Sequence, residues 1–234
     1  KSIVVEEGVV KIGAAAFAGL TELTSITLPS TLTSIGFEAF RGCSKLTTIN
    51  LGPNVCTLMD RWITECPSLT TVNIDESNSC YYLDVYGAIY TADGETLVRL
   101  PQARNLSEYV IADGTVRLAT DALYQCSSLE IVTIPASMKT VQYGVFDGME
   151  NLKELRFKSD VAPTFENKIG NGTDAGNLKL YVPCIPDSTL EEREQGYAAV
   201  TGIKLKNITG WLADFSIIAT VAEREAERGS AKVS

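Results

Sequence analysis

A 23-residue periodicity constrains the fold of this chain more than any other feature of its sequence. The apolar residues that share this step form three sets: Leu23, Leu46 and Leu69; Ile12, Ile35 and Leu58; and, after a gap, Leu106, Leu129 and Leu152. A fixed period of this length indicates a solenoid, in which each repeat is one coil that contacts only its neighbours. One coil buries too few apolar side chains to offset the ordering of its own backbone, so the coils must stack and share a core.

Each repeat contains one segment with the alternation of a β-strand. In residues 46–51, Ile49 and Leu51 are predicted to point inward, while Thr48 and Asn50 point outward. Strands of successive coils would then pair in parallel. The segment before this strand, FEAFRGC at residues 37–43, is predicted to form a helical turn that places Phe40 on the core. Gly13 and Gly36 are expected to supply a positive φ before such turns.

The regular repeats are interrupted once. Residues 74–110 occupy 37 positions where one repeat would occupy 23. Apolar and polar residues alternate there on both sides of Asp93-Gly94, which predicts a hairpin with strands at 87–90 and 97–100. The 23-residue step then returns, so residues 1–158 are predicted to form one solenoid domain with residues 74–110 as its irregular unit.

The remainder of the chain is predicted to cap the solenoid. Residues 159–220 form this capping region, with a last strand at 178–182 and a short helix at 190–196. Residues 221–234 are charged or small, which is typical of a flexible tail. The side chains predicted to close the open end of the core are Trp211, Phe215 and Ile218.

The repeat resembles a known family. LPSTLTSIGFEAFRGCSKLTTINL and VVKIGAAAFAGLTELTSITL are similar to the BspA-like (Treponema pallidum-type) leucine-rich repeat, over about residues 3–158. The irregular unit YGAIYTADGETL and the LYVP of the cap also resemble features of that family. The resemblance implies an α/β-type repeat solenoid with a parallel sheet face. It also implies a bacterial protein, secreted or displayed at the cell surface, that binds or adheres and has no catalytic residues.

Composition excludes several classes of function. The net charge is −9 and histidine is absent, so the chain offers neither a basic face for nucleic acid nor a basic stripe for anionic lipid. Its longest apolar run, residues 215–222, is too short to span a bilayer. Catalysis by a Ser-His-Asp or Cys-His arrangement requires histidine, and Glu108 and Glu154 lie two repeats apart with no sign of a pocket. We therefore expect no enzyme, cofactor or metal.

The six cysteines do not have the spacing of a disulfide framework or a zinc site. Cys43, Cys66 and Cys126 occupy the same repeat position, which predicts a ladder of small buried thiols. A Cys43–Cys66 disulfide is the alternative, because neighbouring coils bring such positions within disulfide range. The cysteines that have no partner close in the sequence are Cys56, Cys80 and Cys184.

Two surfaces are candidates for binding. The outward strand positions are expected to form one continuous sheet face, made by Ser25, Thr27, Thr48, Asn50, Thr71, Asn73, Glu108, Val110, Ile131, Thr133, Glu154 and Arg156. Solenoids commonly bind through such a face, although threonine is also simply a good strand residue. The second candidate is an aromatic patch in the irregular unit, formed by Tyr81, Tyr82, Tyr86 and Tyr90. These tyrosines could contact a ligand or pack the hairpin onto the solenoid.

The sequence thus predicts a binding or adhesion module that recognises a protein or glycan through the sheet face. The family resemblance suggests a host extracellular matrix protein as one such partner. The alternative is a structural spacer or self-association module of a larger surface protein. Because Lys1 aligns with Thr24 inside a repeat, we expect the natural protein to begin earlier, with further repeats or a removed signal.

Overall fold

The structure, a computed structural model, describes residues 1–159, 161–170, 172–183, 190–204 and 207–211. The strands in chain order are β1 (Ser2–Val4), β2 (Lys11–Ile12), β3 (Ser25–Thr27), β4 (Ser34–Ile35), β5 (Thr48–Leu51), β6 (Thr57–Leu58), β7 (Thr71–Ile74), β8 (Tyr81–Leu83), β9 (Ile89–Thr91), β10 (Thr96–Arg99), β11 (Glu108–Val110), β12 (Arg117–Leu118), β13 (Ile131–Ile134), β14 (Thr140–Val141), β15 (Glu154–Phe157), β16 (Thr164–Phe165), β17 (Lys179–Pro183) and β18 (Ile208–Trp211). A helix, α1 (Leu190–Thr201), lies between the last two strands.

Each regular coil contributes a strand to each of two parallel sheets. The longer strands of each coil form a front sheet, and the two-residue strands form a side sheet that the sequence did not predict. Partners in the front sheet are offset by one repeat, as Ile49 with Val72 and Val132 with Leu155 show. The predicted repeat solenoid, its period and its parallel front strands are therefore confirmed. The architecture is a β-solenoid with little helix, so the α/β description is a loose one.

The front sheet is not continuous, which corrects one prediction. Strands β1-β3-β5-β7 form an N-terminal front sheet, and β11-β13-β15-β17-β18 form a separate C-terminal front sheet. In the side sheets, β2-β4-β6 precede a six-stranded sheet of order β16-β14-β12-β10-β9-β8. The irregular unit causes this division, since its additional strands enter the side sheet and leave β7 and β11 unpaired with each other.

The irregular unit contains the predicted hairpin and one more strand. Strands β9 and β10 pair antiparallel on either side of Asp93-Gly94, and β8 pairs antiparallel with β9. Its side chains alternate between two apolar cores. Ile89 belongs to the N-terminal core, whereas Tyr90 and Leu97 belong to the C-terminal core. The hairpin is therefore buried on both sides and joins the two halves of the solenoid.

The segment predicted as a helical turn instead forms a series of tight turns. Arg41 N–H donates to Glu38 O at 3.0 Å, but Phe40 N–H donates to Trp62 O of the next coil at 2.9 Å. Glu38 has a φ of 52°, which ends any helical geometry. Phe40 is nevertheless fully buried, as predicted. The prediction of a positive φ was wrong for both Gly13 and Gly36. Gly36 is instead required by space, because an added Cβ would lie 2.7 Å from the backbone N of Ala14.

Cysteine pairing departs from the sequence prediction. Cys56 and Cys80 form a disulfide with Cα atoms 5.2 Å apart. Their separation of 24 residues is one more than the repeat, so the 23-residue register did not point to this pair. Cys43, Cys66 and Cys126 are free and buried, as the thiol ladder predicts, and Cys43 and Cys66 are not bonded to each other. Cys184 lies outside the described residues.

The last coils differ from the predicted cap. Strand β17 ends at Pro183 and pairs with β15, and β18 then continues the sheet in parallel beside β17. Helix α1 extends to Thr201, beyond the predicted residue 196. It buries Tyr197 completely, with its ring centroid 4.6 Å from that of Phe157. The predicted residues Phe215 and Ile218, the side chain of Trp211 and the tail 221–234 lie outside the described part of the chain. The proposed domain boundaries remain predictions.

Candidate functional site

The N-terminal front sheet presents a neutral surface, here called the hydroxyl–amide face. It consists of Ser25, Thr27, Thr48, Asn50, Thr71 and Asn73. Strand register places Thr48 beside Thr71 and Asn50 beside Asn73. The Asn73 Nδ2 atom donates to Asn50 Oδ1 at 2.7 Å, so the two amides form the start of a ladder across the strands. Asn50, Asn73 and Thr27 are exposed, whereas the hydroxyls of Thr48 and Thr71 are half-buried.

The C-terminal front sheet has a different chemistry. Its predicted positions are Glu108, Val110, Ile131, Thr133, Glu154 and Arg156. The Arg156 guanidinium pairs with Glu154 at 2.7 Å and with Glu108 at 3.5 Å. Thr133 is only 6% exposed, so it is unavailable to a ligand, although its strand position is outward. A partner at this face would have to compete with the ion pairs around Arg156.

Sequence reasoning missed two further positions of the C-terminal front sheet. Register pairs Glu154 with Lys179 and Arg156 with Tyr181. Lys179 is exposed, and Tyr181 is buried to 7% exposure. Burial, followed by the charge of Glu154, raises the pKa of the Tyr181 phenol. The signal was present in the predicted strand at 178–182, but the step from Glu154 to Lys179 is 25 residues rather than 23 and hid the alignment.

The tyrosines of the irregular unit serve mainly to pack it. Tyr90 is fully buried, which corrects its assignment to a surface patch, and Tyr82 stacks on it at 5.6 Å. The hydroxyl of Tyr81 accepts from Leu58 N–H at 3.2 Å and contacts the carbonyl of Cys56 at 3.3 Å, which anchors β8 to the preceding coil. Tyr82 is 40% exposed and is the member of the patch most available to a partner.

A buried hydrogen-bond network explains the position of these rings. The hydroxyls of Tyr90 and Tyr109 lie 2.9 Å apart, and Tyr109 donates to Asp84 Oδ2 at 2.8 Å. Tyr86 packs edge-on against Tyr109, with centroids 5.3 Å apart. Burial, together with the neighbouring Tyr90 and Asp84, raises the pKa of Tyr109 far above its ordinary value. The phenol therefore stays protonated and acts as a structural donor.

Comparisons with known proteins identify the repeat. A family model described as the BspA type leucine rich repeat region matches residues 1–86 and 101–180 in six copies. The residues between these stretches contain β9 and β10 of the irregular unit. A comparison with curated proteins finds no match. Among the described residues, no helix is long and apolar enough to cross a membrane.

Three solved structures share the fold. The pneumococcal vaccine antigen PcpA is similar with a TM-score of 0.63 and 24% identity, over 77% of this chain and 50% of that chain. A leucine rich cell surface protein from Faecalibacterium prausnitzii is similar with a TM-score of 0.56 and 21% identity, over 96% of this chain and 62% of that chain. A leucine-rich repeat protein from Eubacterium ventriosum is similar with a TM-score of 0.53 and 19% identity, over 77% of this chain and 60% of that chain. This chain thus spans between half and about three fifths of the length of these chains.

These findings agree with the structural register. Partners such as Ile3 and Ile26 pair in parallel, one repeat apart. Apolar positions that recur at this step fill the two cores. The family model covers most of the chain, including the coils on both sides of the irregular unit. The chain belongs to the BspA-type leucine-rich repeat family.

Proposed function

We propose that this chain is a secreted or surface-displayed binding module that recognises a protein or glycan through the hydroxyl–amide face. The observation that carries the proposal is the exposed row of Thr27, Asn50 and Asn73 on one parallel sheet in register. Neighbouring strands lie about 4.8 Å apart, so this row offers donors and acceptors at a regular spacing. A protein edge or a sugar chain with regularly spaced polar groups would match that spacing.

The location outside the cytoplasm is supported by two observations. The Cys56–Cys80 disulfide is of a kind that persists mainly in oxidising compartments. One of the structural neighbours is a leucine rich cell surface protein, and another is a vaccine antigen. A host matrix protein is the partner class that we would test first, as the family resemblance suggests.

The test is binding to immobilised matrix proteins and to a glycan array, with a variant that places charge on the face. Thr27→Lys/Asn73→Lys adds two bulky cations to exposed positions of one row, two strands apart. Thr57→Lys/Thr164→Lys adds the same charge at exposed positions of the side sheets and serves as the matched control. We expect a partner to bind the parent chain and the control, and to be lost from the front-face variant.

A spacer or self-association role is the alternative, and one observation favours it. Arg156 and its two glutamate partners satisfy one another on the C-terminal front sheet, so that half presents few free polar groups. Absence of any partner at micromolar concentration would support the spacer. A partner that survives in the front-face variant would contradict the assignment of the hydroxyl–amide face.

A further inference from the structure

We propose that a pocket beside the irregular unit binds a small acidic sugar through the sugar's oxyanion. The pocket has a volume of about 200 Å³, and its walls include Arg61, Trp62, Tyr81, Arg99, Arg117 and Asp121. It opens beside the side sheets rather than on the hydroxyl–amide face. The inference is therefore independent of the proposed function, and either can fail alone.

The pocket exists because the irregular unit breaks the regular stacking of the coils. Between β6 and β10 the side sheet gains β8 and β9, so the coils separate on this side. The turn that carries Arg61 then lies against the turn that carries Asp121, although 60 residues separate them, with Arg61 Nε and Asp121 Oδ2 2.6 Å apart. Regular coils stack directly on one another and leave no such space, whereas this junction leaves the pocket.

Two side chains of the pocket carry hydrogen-bond donors that have no acceptor among the described residues. Trp62 is 3% exposed, and its indole Nε1–H has no acceptor among the described residues. Arg117 is exposed at the rim, and its guanidinium makes no hydrogen bond or ion pair with any residue that the structure describes, although its backbone N–H donates to Glu95 O at 3.0 Å. The buried indole N–H of Trp62 is unfavourable without an acceptor, so it favours a ligand that supplies an oxygen atom, and Arg117 at the rim can donate to the same ligand.

The charged side chains that line the pocket are three arginines and two aspartates, Arg61, Arg99, Arg117, Asp60 and Asp121, so positive charge exceeds negative charge by one. Arg99 is 4% exposed and donates to the backbone carbonyls of Asp121 and Tyr124. The carboxylate of Asp121 interacts with both Arg99 and Arg61, so one anion is shared between two cations. Its other oxygen, Oδ1, has no donor among the described residues and lies against Gly144 of the next coil. Arginine binds carboxylate and phosphate groups through paired N–H bonds, which makes an oxyanion the matching ligand group.

Size and wall chemistry narrow the ligand to a sugar-sized molecule. The volume lies below the roughly 300–1,000 Å³ of a site for a drug-sized ligand, so it suits one monosaccharide unit. Polar and apolar groups both line the walls, and they include Tyr81, Thr91 and Thr96. An aromatic ring can pack on a sugar face while hydroxyl groups contact its edge. The chain is acidic overall at −9, so an anion would bind here through local charge and not through the net field.

The probes are glucuronic acid, glucose 6-phosphate and glucose, tested by calorimetry and ligand-detected NMR on the full chain. The two acids present a carboxylate or a phosphate on the same ring, and glucose lacks both. We expect one or both acids to bind in the millimolar range and glucose to bind more weakly by roughly tenfold or more. The stronger acid identifies the oxyanion.

Two variants and one control assign the binding to this pocket. Arg117→Gln changes an exposed residue, so the fold is expected to persist, and binding should fall by roughly tenfold or more. Trp62→Phe removes the unpartnered donor, and binding should fall as well. Arg41→Gln makes the same charge change on an exposed arginine outside the pocket and should have no effect. Binding of neither acid, equal binding of glucose, or unchanged affinity in Arg117→Gln would overturn the proposal.

Discussion

Removal of the Cys56–Cys80 disulfide should destabilise the protein by an amount that can be calculated from its loop. The bond closes a loop of 24 residues and ties β8 to the preceding coil. In the chain-entropy model a crosslink of this length restricts the unfolded state by about 3.5 kcal/mol at 25 °C. With a urea dependence of roughly 2–3 kcal/mol per molar, the unfolding midpoint of Cys56→Ser/Cys80→Ser should fall by roughly 1–2 M.

The assay is urea unfolding followed by circular dichroism, with the parent chain measured with and without a reductant. Cys56 is exposed, so a reductant should reach the disulfide in the folded protein. The reduced parent chain should match the double variant, and the variant should not respond to the reductant. An unchanged midpoint in the variant, or alkylation of Cys56 and Cys80 in the unreduced folded chain, would refute the reasoning.

Three other changes test the packing of the coils. Gly36→Ala should lower the free energy of unfolding by about 1–3 kcal/mol, because the new Cβ meets backbone atoms 2.7 Å away. Gly13→Ala places its Cβ in open space and should be neutral or slightly stabilising. Equal urea midpoints for the two variants would contradict this reasoning. Tyr109→Phe should cost about 1–3 kcal/mol, since Asp84 Oδ2 loses its donor, and an unaltered thermal midpoint would count against the network. Burial raises the pKa of the Cys66 thiol from 9.0 to about 12, so above pH 9 only the unfolded state loses this proton. The difference in free energy of unfolding between the parent chain and Cys66→Ala should therefore shrink between pH 8 and pH 10, by up to about 1.4 kcal/mol per pH unit above 9. A difference that stays constant over this range would exclude the raised pKa.

The regular coils could be predicted because the 23-residue recurrence of apolar residues determines their structure. A step of 23 residues superimposes apolar positions, and register follows once Ile26 and Ile49 are required to face one core. The same argument fails wherever a neighbouring coil decides the backbone. The turn around Phe40 is an example, because its N–H donates to Trp62 O and not to a carbonyl within its own turn. No local propensity encodes that bond.

The irregular unit limits what the sequence could predict about the candidate sites. Alternation on both sides of Asp93-Gly94 predicted β9 and β10, but β8 (Tyr81–Leu83) lies outside that hairpin and was not predicted. The disulfide depends on where β8 lies, since Cys80 immediately precedes that strand. Residues of the acidic-sugar pocket, such as Trp62, Arg99 and Asp121, come from before, within and after the irregular unit and form no motif in the sequence.

Both candidate sites result from the irregular unit, for different physical reasons. In an uninterrupted solenoid, the front strands of all the coils would pair in one continuous sheet. Here the unit places separate sheets before and after itself, so the neutral row of Asn50 and Asn73 is independent of the ion pairs around Arg156. It also separates the coils at the side, where Arg61 and Arg99 share Asp121. A charge placed on the hydroxyl–amide face should therefore leave acidic-sugar binding unchanged, and loss of both activities in Thr27→Lys/Asn73→Lys would show that the two surfaces are not independent.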